Sequence, residues 1–207
     1  MDDHGITIEK ATPDNADVAA KLTLMALGNS AKVMFGVVDD AIALDYLGKL
    51  WPMKRNRFSH MYAYIAKIGD KPVGLMSCFP GEMTTKNIYP TVLQLIRIGK
   101  FTFVRHMLSQ VRMLRQITSH VEAYPDEFYI GTLAVLAEYQ SMGIGALFLE
   151  FMGKQAKAAG LCKCALLVDK DNIGGIRFYE RHGFKIDGYW EKPVPFYRMV
   201  VGLGDDK

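Results

Sequence analysis

Residues 131–160, with the sequence GTLAVLAEYQSMGIGALFLEFMGKQAKAAG, predict a strand, a glycine-rich turn and a helix. The segment 132–136 is apolar and β-favouring throughout, as expected of a strand that is buried on both faces. From Ile144 onwards, apolar side chains recur at helical spacing, and Gly160 is placed to end the helix. These apolar side chains are Leu147, Phe148, Phe151 and Met152.

The turn between this strand and this helix has the chemistry of a phosphate site. A helix N-terminus presents unpaired N–H groups and a partial positive charge, which attract anions. Gly143 and Gly145 carry no side chain that would keep a pyrophosphate away from those amides. The third glycine of the dinucleotide fingerprint is missing, and no Gly-Lys-Ser/Thr of a P-loop follows. A dehydrogenase and a nucleoside triphosphatase are therefore excluded.

Two motifs together resemble those of the GCN5-related N-acetyltransferase (GNAT) family. The coenzyme A pattern of that family, Q/R-x-x-G-x-G/A after a strand ending in valine, is matched by Val135, Gln140, Gly143 and Gly145. Further along, the family has an asparagine, a short helix with a tyrosine near its end, and then Gly-Phe. These landmarks occur here at the family's spacing, as Asn172, Tyr179, Gly183 and Phe184. The resemblance is specific over residues 127–190 and only topological elsewhere.

The resemblance implies an α/β (α+β) fold with a mixed, mostly antiparallel sheet of about seven strands flanked by helices. In this fold the fourth and fifth strands splay apart to admit the cofactor. A chain of 207 residues suggests one domain, 1–207.

Local patterns place the other elements. Ile6–Lys10 predicts the first strand, and Thr12-Pro13 caps a helix that runs to Gly28. The expected inner stripe of this helix consists of Val18, Leu22, Met25 and Ala26. A second helix over 40–50 precedes a basic loop expected to be solvated, with Lys54, Arg55 and Arg57. The remaining predictions are hairpin strands at 61–68 and 72–79, a strand at 162–169, a helix capped by Asp171 or Asn172, and closing strands at 184–190 and 196–201.

By resemblance, the donor is acetyl-CoA, and this chain contributes both backbone and side-chain groups to its binding. The backbone of Leu133, Ala134 and Val135 would pair with the pantetheine arm as an added strand would. The N–H of Val135 would point at the thioester oxygen, and Asn172 would bind the arm. The turn opened by Gln140 would hold the pyrophosphate through amides of Ser141, Met142, Gly143, Ile144, Gly145 and Ala146.

Acyl transfer to an amine requires a neutral amine, a donor to the oxyanion and a proton for the leaving thiolate. By resemblance, Tyr179 is the candidate general acid; the alternative is an aromatic ring that only packs beneath the splayed sheet. Glu127, at the start of the fourth strand, is the candidate base, and the alternative is an exposed strand-end carboxylate. Glu82 and Glu122 are further candidates if the segment before that strand brings them near. Some family members have no dedicated base.

Composition and charge argue against several other classes of protein. A net charge of +3 is too small to indicate nucleic-acid binding, and no apolar run is long enough for a membrane span. The acidic N-terminus does not resemble a signal peptide. Three cysteines, Cys78, Cys162 and Cys164, suggest reduced thiols in a cytoplasmic protein, the latter two packed in the core from one strand face. The histidines show no ligand spacing, so no metal site is expected.

Residues 81–125 form an insertion between the third and fourth predicted strands. Apolar residues follow one helical face, with a break near Gly99, and the apolar residues are Val92, Ile96, Phe103, Met107, Val111 and Leu114. Between Met83 and Val121 there are six Lys or Arg and no acid. One interpretation is a helical hairpin with a solvated basic face. The others are a lid that favours anionic acceptors through Arg105, Arg112 and Arg115, or contact of 84–121 with an anionic membrane surface.

The sequence therefore does not identify the acceptor. The leading hypothesis is an acetyl-CoA-dependent N-acetyltransferase that acts on the primary amine of a small molecule. The alternatives are a protein acetyltransferase, acting on a lysine or an N-terminus, and a non-catalytic acyl-CoA-binding module at a membrane surface. A homodimer is compatible with each of the three.

Overall fold

The computed structural model of the protein describes residues 5–109, 121–191 and 194–204. Its centre is a seven-stranded sheet in the order β1-β2-β3-β4-β5-β7-β6. Within these ranges β4 and β5 pair in parallel, and the other neighbours pair antiparallel. The strands are β1 Ile6–Lys10, β2 Ala63–Ile68, β3 Lys71–Pro80, β4 Glu127–Val135, β5 Lys163–Asp169, β6 Lys185–Trp190 and β7 Phe196–Gly202. The predicted fold class, a mixed and mostly antiparallel sheet flanked by helices, is confirmed.

The helices lie mostly where local patterns predict them. They are α1 Ala16–Leu27, α2 Asn29–Phe35, α3 Asp40–Leu50, α4 Glu82–Lys86, α5 Ile88–Ser109, α6 Ile144–Ala158 and α7 Ile173–Arg181. The helix α2 was not predicted, because seven residues are too few for an apolar period to show. It starts directly after Gly28, where α1 ends as expected.

Helices cover both faces of the sheet. On one face α6 buries Phe148, Met152 and Ala156 against the strands, and α7 packs beside it. On the other face α1 buries Ala19 and Leu22 against β2, β3 and β4. The predicted inner stripe of α1 was wrong at Met25 and Ala26, which are exposed. The actual buried face consists of Ala19, Ala20, Leu22 and Thr23, because small side chains allow α1 to contact α3 and the sheet closely.

Strands β4 and β5 separate part of the way along their length. Their paired residues run from Glu127 with Lys163 to Ile130 with Leu166, whereas β4 continues to Val135. On the β3 side, Ser77 pairs with Thr132 and Cys78 with Ile130, so Gly131 is an extra residue in β4. Such a bulge bends its strand and increases the local twist. The bulge lies where the separation from β5 begins, and a gap opens between the two strands.

The insertion between β3 and β4 packs against the N-terminal helices. Phe35, Leu47, Leu95 and Phe103 belong to one apolar cluster that joins α2, α3 and α5. The long helix α5 kinks at Lys100 (φ 48°, ψ −133°), next to the break predicted at Gly99. No helix within the ranges given above is long and apolar enough to span a membrane. The predicted apolar residues Val111 and Leu114 and the basic residues Arg112 and Arg115 lie outside the described residues.

The two ends of the insertion meet at the start of β4. The N–H of Gly81 donates to the carbonyl of Glu127 at 2.7 Å, and the N–H of Glu127 donates to the carbonyl of Tyr124 at 3.0 Å. A side chain at Gly81 would overlap the Tyr124 carbonyl oxygen, so glycine is needed for this close approach. The insertion therefore leaves and rejoins the sheet at a fixed position.

The two C-terminal cysteines do not face the core together. Cys164 is fully buried, as predicted, but Cys162 is exposed. The strand β5 begins at Lys163, so Cys162 precedes it and does not follow its alternation of faces. Its carbonyl accepts from the N–H of Leu203 at 2.7 Å instead.

Candidate active site

A cavity of about 960 Å³ runs through the gap between β4 and β5. One end lies at the turn that joins β4 to α6, and its lining there includes Gln140 and Gly143. The cavity passes Leu133 and Val135 of β4 and Leu167 of β5, and it continues beneath α5. The two ends are called the turn end and the insertion end below. A single space thus joins the glycine turn to the insertion.

The turn end has the features of an anion site. Ser141 and Gly143 adopt left-handed backbone angles, with φ of 64° and 81°. Gly143 is the N-cap of α6, no side chain caps that helix, and a Cβ atom at Gly143 would meet nothing within 4 Å. The first amides of α6 are therefore open to a ligand. The Nε2 of Gln140 donates to the Val135 carbonyl at 3.1 Å, which ties the turn to the end of β4.

The side of the gap opposite this turn is formed by α7. The Oδ1 of Asn172 accepts from the N–H of Gly175 at 2.9 Å, so Asn172 is the N-cap of α7. The ring of Tyr179 packs between Phe178 and Phe184, with ring centroids 5.3 Å and 5.6 Å away. Burial raises the pKa of the Tyr179 hydroxyl to about 12. Tyr179 lines the cavity as a neutral phenol that keeps its proton at neutral pH.

The cavity brings together all the residues predicted for the site except Met142 and Glu127. Those that line it are Leu133, Ala134, Val135, Gln140, Ser141, Gly143, Ile144, Gly145, Ala146, Asn172 and Tyr179. Met142 packs instead against the core between the sheet and α6. The roles predicted for these residues in binding and catalysis remain predictions.

Glu127 lies in a buried ion-pair cluster rather than at the cavity wall. Its side chain pairs with Arg198, which also pairs with Asp187. It accepts a hydrogen bond from the N–H of Tyr124 at 2.8 Å, and the Arg198 guanidinium lies 4.9 Å from the centre of the Tyr124 ring. Glu127 is thus neither an exposed strand-end carboxylate nor a group that faces the gap. Its contacts hold the returning insertion against β4 and β7.

A second ion pair, Arg57 with Glu122, lines the insertion end of the cavity. The Nη1 of Arg57 donates to Oε1 of Glu122 at 2.8 Å, and Nη2 contacts Oε2. Burial raises the pKa of Glu122, but Arg57 and a hydrogen bond from Tyr129 more than offset this effect, so its pKa is lowered. Glu122 is therefore ionised at neutral pH.

This pair corrects the prediction of a solvated basic loop. Lys54 and Arg55 are exposed as expected, but the Arg57 side chain is largely buried. Its N–H also donates to Oγ1 of Thr91 in α5 at 3.1 Å. The partner of Arg57 is 65 residues away in the sequence, so no local pattern could reveal it. The prediction was wrong for Arg57 because its oppositely charged partner comes close to it only in the folded protein.

The rest of the insertion end is apolar, and sequence reasoning did not predict it as a site. Helices α1, α2 and α5 and the loop before β2 contribute its wall. The apolar residues of this wall include Met25, Leu27, Met34, Phe58, Ile88, Val92, Leu95, Phe103 and Met107. The apolar stripe of α5 was visible in the sequence, but its partners in α1 and α2 are brought to it only by the tertiary fold.

The sequence and the fold define the class of enzyme to which the protein belongs. Residues 37–184 match the sequence model of the Acetyltransferase (GNAT) family. This match covers more than half of the chain, so the protein belongs to the GNAT family. It is an N-acetyltransferase that uses acetyl-CoA.

Solved structures of acetyltransferases share the fold. An N-acetyltransferase from Staphylococcus aureus Mu50 is 20% identical, with a TM-score of 0.70, covering 94% of this chain and 100% of that one. The IAA acetyltransferase from Bacillus cereus ATCC 14579 is 16% identical, with a TM-score of 0.53 and coverage of 96% and 99%. The ribosomal-protein-S18-alanine N-acetyltransferase from Escherichia coli is 12% identical, with a TM-score of 0.54 and coverage of 98% and 96%. At these identities the likeness establishes the fold and leaves the acceptor open.

Replacing Gly143 with valine is expected to weaken coenzyme A binding at least about 30-fold. This corresponds to about 2 kcal/mol, the order of charge-assisted contacts left unmade. The branched side chain would enter the open space before α6, and the left-handed backbone would resist it. The measurement is calorimetric titration of coenzyme A into each folded variant.

The matched control is Gly160→Val. Gly160 has a φ of 72° and open space around it, but it follows the opposite end of α6. This variant should lose stability through the same backbone strain and keep its coenzyme A affinity. Equal affinity of the wild type and Gly143→Val would contradict the assignment of the turn as the pyrophosphate site.

Proposed function

We propose that the protein transfers the acetyl group of acetyl-CoA to the primary amine of a small molecule. The observation that carries this proposal is the wall around the insertion end of the cavity. Helices α1, α2 and α5 and the Arg57–Glu122 pair line that end. A protein acceptor needs an open groove in which a backbone segment can lie, whereas a cavity lined by several helices and a buried ion pair suits a small molecule.

The turn end fits coenzyme A on its own geometry. Uncapped amides at the start of α6, the left-handed Gly143 and the open space beside it would accept the pyrophosphate. The part of β4 beyond its pairing with β5, which includes Leu133 to Val135, would hold the pantetheine arm. Asn172 would bind the same arm with the amide hydrogens that its capping bond leaves free. When bound, acetyl-CoA supplies the activated acetyl thioester.

Tyr179 is proposed as the general acid. Its hydroxyl keeps its proton at neutral pH, because burial raises its pKa to about 12. Its position on the cavity wall at the gap between β4 and β5 suits proton donation to a departing sulfur. The N–H of Val135 is proposed as the hydrogen-bond donor to the thioester oxygen. Both assignments follow from the family motif together with the placement of these residues along one cavity.

The proton of the acceptor amine has a different route. Glu127 remains a candidate base from the family motif, but its contacts with Arg198 and Tyr124 occupy it. Glu122 also lines the cavity, but Arg57 pairs with its carboxylate, so we propose that the enzyme has no dedicated base. Removal from water then disfavours the charged amine, which lowers its pKa from the usual value of about 10.4. A bound amine would lose its proton readily to water.

Two other functions remain to be distinguished from this proposal. A protein acetyltransferase would modify peptides in preference to small amines. A non-catalytic acyl-CoA-binding module would bind the donor without turnover, which the family membership and the presence of Tyr179 disfavour. We also propose a single domain that works in the cytoplasm, as composition suggests, with a homodimer as one possible assembly.

The test of the proposal is an acceptor panel. Release of coenzyme A thiol from acetyl-CoA is measured with primary monoamines, polyamines, amino acids, aminoglycosides and short peptides at matched concentrations. We expect a small amine to give the highest kcat/KM. A peptide with a higher kcat/KM than every small amine would contradict the proposal, and binding of acetyl-CoA without turnover of any acceptor would favour the binding module.

Replacing Tyr179 with phenylalanine removes one hydroxyl and little volume. If that hydroxyl protonates the leaving sulfur, kcat should fall by roughly 10²-fold or more, while the affinity for acetyl-CoA changes little. The control is Tyr197→Phe, since Tyr197 lies on β7 and does not line the cavity. Single-turnover kinetics isolates the chemical step. An unchanged single-turnover rate in Tyr179→Phe would leave this residue with a packing role only.

A further inference from the structure

The insertion end of the cavity has a wall of methionine, leucine, valine, isoleucine and phenylalanine side chains. From α5 the wall includes Val92 and Met107, and from α1 and α2 it includes Leu27 and Met34. Sites with such walls gain affinity by removing apolar ligand surface from water.

The charges in this end of the cavity are already paired. Among the residues that the structure describes, its acidic and basic side chains are Glu122 and Arg57, and they bind each other. The pair leaves no net charge to bind a second charged group of an acceptor. His106 is also engaged there, because its Nε2 lies 3.2 Å from the carbonyl of Val33.

The four basic residues in the described part of the insertion face away from the cavity. Lys86, Arg97, Lys100 and Arg105 are exposed, and they do not line the cavity. The helix α5 turns its apolar side toward the N-terminal helices and leaves these charges in water. Of the three residues of the predicted lid for anionic acceptors, Arg105 does not face the cavity, and Arg112 and Arg115 lie outside the described residues.

We infer that the insertion end binds an uncharged apolar group, alkyl or aromatic, that is attached to the acceptor amine. This inference rests on the proposed function, because it names the class of small molecule that the enzyme acetylates. The apolar tail lies beneath α5 among the residues named above, and the amine lies toward Glu122 and the gap between β4 and β5. The transfer forms one N–C bond and breaks one C–S bond, and the amine proton leaves to water.

Length of the tail is the variable that tests this inference. Primary n-alkylamines from propylamine to octylamine are compared as acceptors at saturating acetyl-CoA, with putrescine and β-alanine as charged comparators. We expect kcat/KM to rise about fourfold for each methylene until the cavity is full, the equivalent of about 0.8 kcal/mol for each buried CH₂. Putrescine and β-alanine should be at least about tenfold poorer than the alkylamine of similar length, since desolvation of a second charge is unfavourable.

Two neighbouring positions on α5 locate the site. Val92 is half-buried and lines the cavity, whereas Leu93 is 45% exposed and does not. Val92→Gln should raise the dissociation constant of octylamine, measured by calorimetry, at least about tenfold, because a buried amide would lack partners. Leu93→Gln should leave that constant unchanged, and both variants should bind acetyl-CoA as the wild type does. Val92→Phe, which keeps the site apolar but narrows it, should shorten the longest tail that is accepted.

Each outcome of these experiments supports or overturns a stated part of the account. A kcat/KM that rises with tail length, together with an octylamine affinity that falls in Val92→Gln but not in Leu93→Gln, supports the inference. Turnover of small amines with no dependence on tail length would overturn the inference and leave the proposed function standing. Equal octylamine affinity in wild type, Val92→Gln and Val92→Phe would overturn the location beneath α5. Acetylation of peptides with no turnover of any small amine would overturn the proposed function and this inference together.

Discussion

The separation of β4 from β5 is the constraint on which the rest of the site depends. The two strands pair only as far as Ile130 and Leu166, and Gly131 bulges β4 at the same place. A continuous parallel pair would use the backbone groups of both strands and close the sheet. Because the pair ends early, the last residues of β4 have one edge for the pantetheine arm that we propose to bind there, while β3 holds the other edge. The turn before α6 then lies at one end of the gap, and the insertion lies at the other.

The insertion is held at this gap by charge as well as by apolar packing. Arg57 and Glu122 join the loop before β2 to the segment before β4, and Arg198 joins Glu127 to Asp187 beside it. Removing one partner of a buried pair such as Arg57–Glu122 or Arg198–Glu127 typically costs about 3–5 kcal/mol, because the other charge is left without compensation. These pairs therefore fix where the insertion re-enters the sheet. They also explain why an apolar cavity can contain a carboxylate that remains ionised.

The fold was predictable from the sequence where the signals are local. The strand, turn and helix of 131–160 gave the coenzyme A motif, and the order of strands and the helical insertion followed from periodicity. Three features could not be predicted from the sequence, and each has its own physical reason. The helix α2 is too short to show a period, the buried face of α1 is set by contact with α3, and Arg57 finds its partner only in the fold. The insertion end of the cavity depends on such long-range contacts, so the sequence indicated the turn end far better than the insertion end.

The central claim is that the gap between β4 and β5, where we propose that acetyl-CoA binds, and the apolar insertion end of the cavity form one continuous space. The most direct measurement is the affinity of a conjugate in which octylamine is joined through an acetyl bridge to the sulfur of coenzyme A. Its dissociation constant is compared by calorimetry with those of coenzyme A and of a conjugate with an equally long ethylene glycol tail. We predict that the octyl conjugate binds at least about 10²-fold more tightly than either, since its tail would be buried while the donor part stays in place. An octyl conjugate that binds no more tightly than coenzyme A itself would contradict the account.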